Sequence, residues 1–535
     1  MTDKAAEAFK EFKEYSVAEF FRKNRQMLGY SGAIKSLTTA VHEYVTNALD
    51  ACEVAGILPD LYIELRKKGE GYLLIVEDNG PGIPKHYVGK VFGTMLAGTK
   101  FHVFKQQRGQ QGIGATGVVM FSQVTTGKPT KIVTSTGNGI IYEADISIDI
   151  KHNRANVENP KEYPGNMRGT RIETELKGVL YQRGDRSPDE YLKRTALANP
   201  HAKITWKNPD KVVTVWDRAM NELPKIPKET KPHPKGIETD DLMYFAAHTK
   251  AKTIRSFLIN DFVRISGQKA TELETLSGVD FKKKPSAMTW DEAEQIVKAI
   301  QKTKFIAPPT DCLIPIGEKE LEKAVKNVLN PEYYKIITRP PALYRGGVPF
   351  MVETAIAYGG ELQANETKKK SGSELSIQIM RFANRVPLLF DAGGCAITKA
   401  VNSIDWKRYG VTPQTPLTVV VNLTSIHIPY TGAGKEAISE EEEITKEIKL
   451  SLQDTGRRVS AYLSGKKRRA ELEKKKRTLE IYAIPVAEAI AEVTGADKDM
   501  LVKRIRQIVE ARYEEITEEP EEEDVNVEEE EEEDE

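Results

Sequence analysis

The chain has 535 residues, and its 78 lysines and arginines nearly balance 79 aspartates and glutamates, so its formal net charge is -1. This balance hides an uneven distribution, because residues 514–535 hold 16 acidic residues and no basic ones. The rest of the chain therefore carries 78 basic against 63 acidic side chains, a net charge of +15. A chain of this length is expected to form about three or four domains, which excludes a single small module.

Cysteine content and hydropathy narrow the class of protein further. The three cysteines, Cys52, Cys312 and Cys395, lie far apart, which excludes a disulfide framework and a CxxC zinc site and fits a reducing compartment. No run of about 18 apolar residues occurs, and the N-terminal residues are charged. We therefore expect a cytoplasmic protein that is neither membrane-spanning nor secreted.

The N-terminal half predicts a mixed α+β domain. The first 25 residues are amphipathic, with Phe9 and Phe12 among lysines and glutamates, and form either a core helix or a strap that docks on a partner. A helical pattern runs from Lys35 to Ala55. Runs with strand character follow at 61–66, 72–78, 139–146, 170–176 and 212–216.

A composition break at 224–236 is rich in proline and lysine and predicts a domain boundary. Residues 237–304 look helical. Beyond Pro308 and Pro309, a helix at 318–329 and a strand at 419–428 indicate a second α/β domain.

The C-terminal part, from Ser439 to Arg512, is charged and helix-forming, with interruptions expected at Gly465, Pro485 and Gly495. The acidic tail has almost nothing apolar to bury and is expected to be disordered.

The first candidate site lies on the helix at Lys35–Ala55. Glu43, Asn47 and Asp50 are spaced i, i+4 and i+7, so they share one face of a helix whose other faces are apolar. A largely buried polar stripe needs partners, which a ligand or a metal would supply. An exposed polar face is the alternative.

The second candidate is Asp78, which ends an apolar strand and is followed by Gly80 and Gly82. The two glycines let the backbone approach a ligand closely, and the carboxylate can accept a hydrogen bond from an exocyclic amine such as that of adenine. The alternative is an Asn-Gly turn that closes a hairpin.

The third candidate is the glycine-rich stretch Arg108–Gly117. Successive free N–H groups at the start of a helix make an anion nest that suits phosphates. Residues 112–117 also match GxGxxG, but no strand directly precedes them and no acidic residue stands at the expected distance, so a Rossmann fold is not favoured. A Walker A motif is absent, because Gly432–Lys435 lacks the spacer and the following Ser or Thr.

Four motifs in order resemble the N, G1, G2 and G3 boxes of the GHKL ATPases, a superfamily that includes type II topoisomerases, heat-shock chaperones, MutL and histidine kinases. They are Glu43-x3-Asn47-x2-Asp50, Asp78-x-Gly80-x-Gly82, the lid 109–114 and Gly169-Thr170. The resemblance implies a GHKL (Bergerat) ATP-binding α/β sandwich.

Other segments resemble the B subunit of archaeal-type DNA topoisomerase VI, from about residue 16 to 510. They are residues 16–32, the helical insert after 230, the tetrad Trp406-Lys407-Arg408-Tyr409 and the YTGAGKEAI segment around Lys435. The resemblance implies an α+β multidomain chain: a strap and ATPase domain (1–229), a helix-two-turn-helix domain (230–306), a transducer domain (307–470), a C-terminal helical segment (471–513) and the acidic tail (514–535).

The resemblance also implies roles for individual residues. Glu43 would be the general base, Asn47 a ligand of Mg²⁺, and Lys435 a transducer lysine that reaches the γ-phosphate of ATP; a solvated loop lysine is the alternative for Lys435. The residues expected to contact ATP are Asn47, Asp50, Asp78, Gly80, Gly82, Thr99, Lys100, Gly109, Gln110, Gln111, Gly112, Ile113, Gly114, Thr170 and Lys435.

The resemblance implies partners as well. ATP would close two B subunits into a dimeric gate around a DNA duplex, and a separate A subunit would cut DNA within a heterotetramer of two A and two B subunits. Together they would relax supercoils and decatenate DNA. A non-topoisomerase GHKL clamp, chaperone-like or MutL-like, is the alternative function.

The basic body independently favours a polyanionic partner. The candidate DNA contacts are Trp406, Lys407, Arg408, Tyr409, Lys466, Lys467, Arg468 and Arg469. The tetrad can equally pack a loop, and the lysine-rich run can be a solvated helix face. The acidic tail either screens nonspecific DNA contacts or acts as a solubilising extension.

Overall fold

The computed structural model describes residues 16–98, 104–109, 112–360, 377–432 and 434–517. Predictions on residues outside these ranges concern Phe9, Phe12, Thr99, Lys100, Gln110, Gln111 and the tail from residue 518 onward. Within the described ranges, none of the helices is long and apolar enough to cross a membrane.

An eight-stranded sheet forms the centre of the N-terminal domain, in the order β5-β4-β3-β6-β2-β1-β7-β8. All neighbouring strands are antiparallel except β1 and β7. The strands are β1 (Asp60–Lys68), β2 (Gly71–Asp78), β3 (Thr130–Thr136), β4 (Ile140–Asp149), β5 (Arg154–Pro164), β6 (Arg168–Leu176), β7 (Lys203–Lys207) and β8 (Val213–Trp216). The five strands predicted from the sequence are confirmed, and β3, β5 and β7 were missed.

Helices cover this sheet, and among them the long predicted helix is confirmed as α2. They are α1 (Val17–Lys23), α2 (Ala33–Val54), α3 (Lys85–Gly93), α4 (Gly114–Thr126) and α5 (Pro188–Ala198). Leu37, Val41, Val45 and Leu49 of α2 are buried and belong to the apolar core. The Tyr44 hydroxyl lies 3.0 Å from the Thr174 hydroxyl of β6, which fixes α2 on the sheet.

Four helices follow the proline-rich segment 224–236, which confirms the helical character predicted for residues 237–304. They are α6 (Thr239–His248), α7 (Ile254–Asp261), α8 (Gly267–Ser277) and α9 (Trp290–Lys302). They enclose a core of their own, which includes Phe257, Leu273 and Ile296. The proline-rich segment itself contains one 3-10 turn, at Pro234–Gly236.

A second sheet forms the next domain, in the order β10-β11-β14-β12-β13, with β9 pairing with β11. The elements of this domain are α10 (Glu318–Leu329), β9 (Tyr333–Thr338), β10 (Ala342–Tyr344), β11 (Val348–Tyr358), β12 (Ile377–Ala383), β13 (Val386–Pro387), α11 (Ala396–Asn402) and β14 (Leu417–Ser425). One apolar cluster continues from the first sheet domain into this one, for example through Ile204, Leu321 and Phe382. The two domains therefore share a continuous core.

Two helices complete the described chain, α12 (Glu442–Thr494) and α13 (Lys498–Thr517). The interruptions predicted at Gly465 and Pro485 are wrong, since α12 continues through both. A mid-helix glycine costs only about 1 kcal/mol, and Pro485 is exposed, so water can satisfy the carbonyl that the proline leaves unpaired. The break at Gly495 is confirmed: this residue has a left-handed φ of 74°.

By its internal packing the described chain divides into two compact units, and the division falls inside α12, after Gly456. The domain boundary expected at residue 470 falls inside α12. The first four residues of the predicted tail, 514–517, belong to α13.

Candidate functional site

A cavity of about 420 Å³ lies between the first sheet domain and the second. Ten of the residues proposed for nucleotide chemistry line it: Glu43, Asn47, Asp78, Gly82, Gly109, Gly112, Ile113, Gly114, Thr170 and Lys435. Lys435 is the member that the second domain contributes. Motifs that are far apart in the sequence thus meet in one place.

The apolar face of α2 packs against the sheet, so the polar face that carries Glu43 and Asn47 lies towards the cavity. The Glu43 side chain is 29 % exposed, and Asn47 is exposed at the cavity wall. His42 Nε2 lies 4.0 Å from Glu43 Oε1. Burial lowers the pKa of His42. Glu43 opposes that effect and Lys435 adds to it.

Asp78 and Thr170 are brought together by the register between β2 and β6, in which they are directly paired. Asp78 Oδ1 accepts hydrogen bonds from the backbone N–H of Gly80 at 2.8 Å and of Thr170 at 3.3 Å. Burial nevertheless raises the pKa of Asp78 to about 6, against the effect of these two bonds. Because β2 pairs with β1 through a turn at its other end, the hairpin alternative for Asn79-Gly80 is wrong.

Gly82 closes the turn after Asp78 in a conformation that only glycine adopts easily. Its φ is 71°, and a Cβ atom there would lie 2.0 Å from the carbonyl oxygen of Ser135. The turn therefore depends on the absence of a side chain at Gly82, which lines the cavity.

The glycine-rich lid leads into α4, whose N-terminus faces the cavity. Gly112 has a φ of 60°, and α4 begins at Gly114. A Cβ atom on Gly114 would lie 2.0 Å from Glu43 Oε2, so the start of the helix touches the carboxylate proposed as the base. Free N–H groups at this helix end make it suited to a phosphate.

Arg108 anchors the end of the lid, a role that the sequence did not reveal. Its side chain is 7 % exposed, and it donates to Asp50 at 2.8 Å, to both carboxylate oxygens of Glu53 at 2.7 and 2.8 Å, and to Asn199 Oδ1 at 2.6 Å. Asp50 is therefore held by Arg108 and lies outside the cavity lining, and its contact with ATP stays a prediction. Gly80 also lies outside the lining and donates its N–H to Asp78.

Lys435 enters the cavity from a loop of the second domain. Its φ is 52°, and its Nζ lies 3.5 Å from the backbone oxygen of Arg108. The ammonium group thus lies next to the residue that precedes the lid, and it lines the same cavity as the start of α4. This placement differs from that of a solvated loop lysine.

Tyr30 is a further cavity residue that the sequence did not single out. Its ring stacks on Phe121 with centroids 4.7 Å apart, and its buried hydroxyl has no hydrogen-bond partner among the described residues. Burial, with Glu43 adding to it, raises the pKa of this hydroxyl well above its ordinary value. A neutral donor is therefore available to a ligand in the cavity.

The candidate DNA contacts divide by exposure. Trp406 is only 3 % exposed and donates its indole N–H to the Val401 oxygen at 2.9 Å, so it packs a loop, as the alternative predicted. Lys466 and Tyr409 are half-buried. The exposed members are Lys407, Arg408, Lys467, Arg468 and Arg469.

Comparison with known proteins identifies the family. Residues 32–177 match the model of the histidine kinase-, DNA gyrase B-, and HSP90-like ATPases, and residues 308–476 match that of the topoisomerase VI B subunit transducer. The B subunit of type 2 DNA topoisomerase 6 from Thermococcus sibiricus is 46 % identical over 96 % of this chain and 98 % of that protein. The chain belongs to this family.

Relatives of the same name occur in other organisms. The protein of Pyrococcus furiosus is 44 % identical over 95 % of this chain and 96 % of its own length, and that of Methanothermobacter thermautotrophicus is 44 % identical over 91 % and 93 %. The predicted GHKL fold with a transducer domain is confirmed, and so is the prediction of an ATP-dependent topoisomerase subunit. A chaperone-like or MutL-like clamp is not favoured.

Proposed function

We propose that ATP binds in the cavity between the two sheet domains and that its hydrolysis moves the transducer domain, as the ATP-driven half of a type IIB topoisomerase. The observation that carries this proposal is the convergence of Glu43, Asp78, the start of α4 and Lys435 on one cavity. A single ligand with a base at one end and phosphates at the other fits this order of groups.

Different residues of the chain bind the adenine, bind the phosphates and activate the attacking water. The Asp78 carboxylate accepts from the exocyclic amine of adenine, and Gly82 admits the flat ring. Gly112, Ile113 and Gly114 wrap the phosphates at the N-terminus of α4. Glu43 orients the attacking water and takes its proton.

Asn47 fits a role as the Mg²⁺ ligand. Its amide oxygen is a hard donor of the kind Mg²⁺ prefers, and this ion commonly takes one protein ligand together with phosphates and water. Asn47 lies one turn from Glu43 and is exposed to the cavity. Mg²⁺, when bound, neutralises charge on the phosphates.

Lys435 couples chemistry to motion, because it belongs to a different domain from the other groups in the cavity. Its charge stabilises the γ-phosphate and the transition state that follows. Loss of that phosphate removes the contact, so the transducer domain is free to move.

The proposed enzyme also includes a DNA-cleaving subunit and its DNA substrate. The chain would pair with a topoisomerase VI A subunit as an A2B2 heterotetramer, and ATP would drive dimerisation of two B subunits around a duplex. The exposed Lys467, Arg468 and Arg469 support contact with DNA phosphates. A cytoplasmic location remains a prediction from the sequence.

The experiment that tests this function combines the purified chain with a candidate A subunit and supercoiled DNA. We expect ATP hydrolysis that rises when both DNA and the A subunit are present, together with ATP-dependent relaxation. Failure to bind either the A subunit or duplex DNA at low salt would contradict the proposal.

A further inference from the structure

Lys35 and Glu436 join the two sheet domains at the rim of the nucleotide cavity. Lys35 Nζ lies 2.5 Å from one carboxylate oxygen of Glu436 and 2.6 Å from the other. The two side chains are 23 % and 20 % exposed, so water screens the pair only in part. Surface ion pairs contribute little, but a half-buried pair with both oxygens engaged fixes geometry.

The position of each partner in the sequence makes this pair relevant to catalysis. Lys35 is in the first turn of α2, the helix that carries Glu43 and Asn47. Glu436 directly follows Lys435. The ion pair therefore connects the helix of the proposed base to the loop of the proposed phosphate sensor.

The base of the Lys435 loop is held by its own domain. The Thr431 N–H donates to the Ala437 oxygen at 3.0 Å, and Tyr430 forms a β-bridge with Ile438. At the tip, the Lys435 N–H donates to the Gly432 oxygen at 3.1 Å. The contact between Glu436 and Lys35 ties this tip to the other domain.

A second contact reinforces the link. Lys35 Nζ lies 5.4 Å from the centre of the Phe390 ring, within the range of a cation–π interaction. Phe390 belongs to the second sheet domain and lines the cavity. Lys35 thus holds two separate segments of that domain beside the cavity.

We propose that Lys35 and Glu436 are positioning residues that hold Lys435 against the terminal phosphate of ATP, an inference that rests on the proposed role of Lys435. Glu436 fixes the loop so that the neighbouring ammonium group enters the cavity. Lys35 also neutralises Glu436, which without it would compete with the phosphate for Lys435.

The loss of Lys35 and the loss of Glu436 should have unequal effects. Without Lys35, an unpaired carboxylate stands beside Lys435, whereas without Glu436 the loop is only less well held. The variant Lys35→Met should therefore lose more activity than Glu436→Gln, which keeps the shape of the side chain. Exchanging the two charges, in Lys35→Glu with Glu436→Lys, restores an attractive pair.

The test measures ATP hydrolysis by the two single variants and by the charge exchange, each in the complex with the A subunit and DNA. We expect Glu436→Gln to lower kcat about tenfold and Lys35→Met to lower it further, both with little change in ATP affinity, because the adenine contacts are intact. The exchange should recover kcat to within about threefold of the natural pair. Lys326→Met is the matched control, since it breaks an exposed ion pair with Glu322, at 2.8 Å, on the same domain as Glu436.

The outcomes separate the two proposals. Two results would overturn the positioning role if Lys435→Ala still abolishes turnover. One is a kcat of both single variants within about twofold of that of the unaltered protein. The other is a kcat of the charge exchange no higher than that of the worse single variant. Normal turnover by Lys435→Ala would overturn the sensor role and this inference with it. Glu436→Gln keeps the test valid if the charge exchange fails to fold.

Discussion

Arg108 and Glu53 form a two-point ion pair beneath the nucleotide lid, with nitrogen–oxygen distances of 2.7 and 2.8 Å. Burial alone would raise the pKa of Glu53, but Arg108 and His201 hold it well below its ordinary value. The pair is built between α2 and the residue that precedes the first lid glycine. It therefore fixes the position of the residue that precedes the lid.

Replacing Arg108 should destabilise the protein as well as the lid. Arg108→Met leaves Glu53 buried without its main partner, and we expect a loss of about 3 kcal/mol in the free energy of unfolding. Because the pKa of Glu53 is depressed in the folded state, its stabilising effect is present at neutral pH and is lost as the pH falls through the folded pKa. Chemical denaturation at pH 7 and at lower pH should show the deficit shrinking in acid, and an equal deficit at every pH would contradict this reading.

Glu43→Gln should keep nucleotide binding and remove turnover. The amide cannot take a proton from water, so we expect kcat to fall at least about 100-fold while the affinity for ATP stays within about threefold. Equilibrium binding and steady-state hydrolysis measure the two effects separately. Glu222→Gln, at an exposed position, is the matched control; turnover by Glu43→Gln equal to that of the control would remove Glu43 from the role of base.

Asp78 should make nucleotide affinity sensitive to pH. Its pKa of about 6 means that the carboxylate, the better acceptor for the adenine amine, is protonated as the pH falls below that value. Between pH 7.5 and 5.5 we expect affinity to fall about fourfold from this group alone.

Asp78→Asn isolates this contribution, because protonation of the phosphates affects both proteins alike. The variant should bind ATP more weakly at pH 7.5 and show a shallower pH dependence. Its stability should not fall, because the raised pKa means that the ionised Asp78 costs folding free energy as the pH rises through about 6. Parallel pH profiles for the two proteins would count against the adenine contact.

Gly114→Ala should abolish hydrolysis by a steric route. The added methyl group would lie 2.0 Å from Glu43 Oε2, so the carboxylate or the start of α4 must move. Alanine favours helix, so a loss of activity would not come from a weaker α4. Gly393→Ala, where the methyl group meets open space, is the control; normal hydrolysis by Gly114→Ala would show that the observed contact does not constrain the base.

The sequence predicted most of the site because its motifs are local. Because Glu43 and Asn47 are four residues apart, they lie on the same face of a helix, and the glycines after Asp78 favour a turn. Neither feature depends on residues elsewhere in the chain. Asp50 lies outside the cavity lining for a tertiary reason. Its partner Arg108 is far along the chain, and spacing on one helix cannot show which polar group a distant segment will bind.

Other misses have similar causes. Strand β5 has few apolar residues and is largely exposed, since it pairs only with β4 at the edge of the sheet. The residues of β5 carry no pattern that predicts a strand, because β5 is held by its hydrogen bonds to β4. Trp406 is a candidate DNA contact by its sequence, and only the fold shows that it is buried.

The most direct measurement is a structure of the protein with Mg²⁺ and a non-hydrolysable ATP analogue. We expect the adenine amine within hydrogen-bond distance of Asp78 and the terminal phosphate between the N-terminus of α4 and Lys435 Nζ. A nucleotide bound elsewhere, or a terminal phosphate out of reach of Lys435, would contradict the central claim that the second domain completes the ATP site.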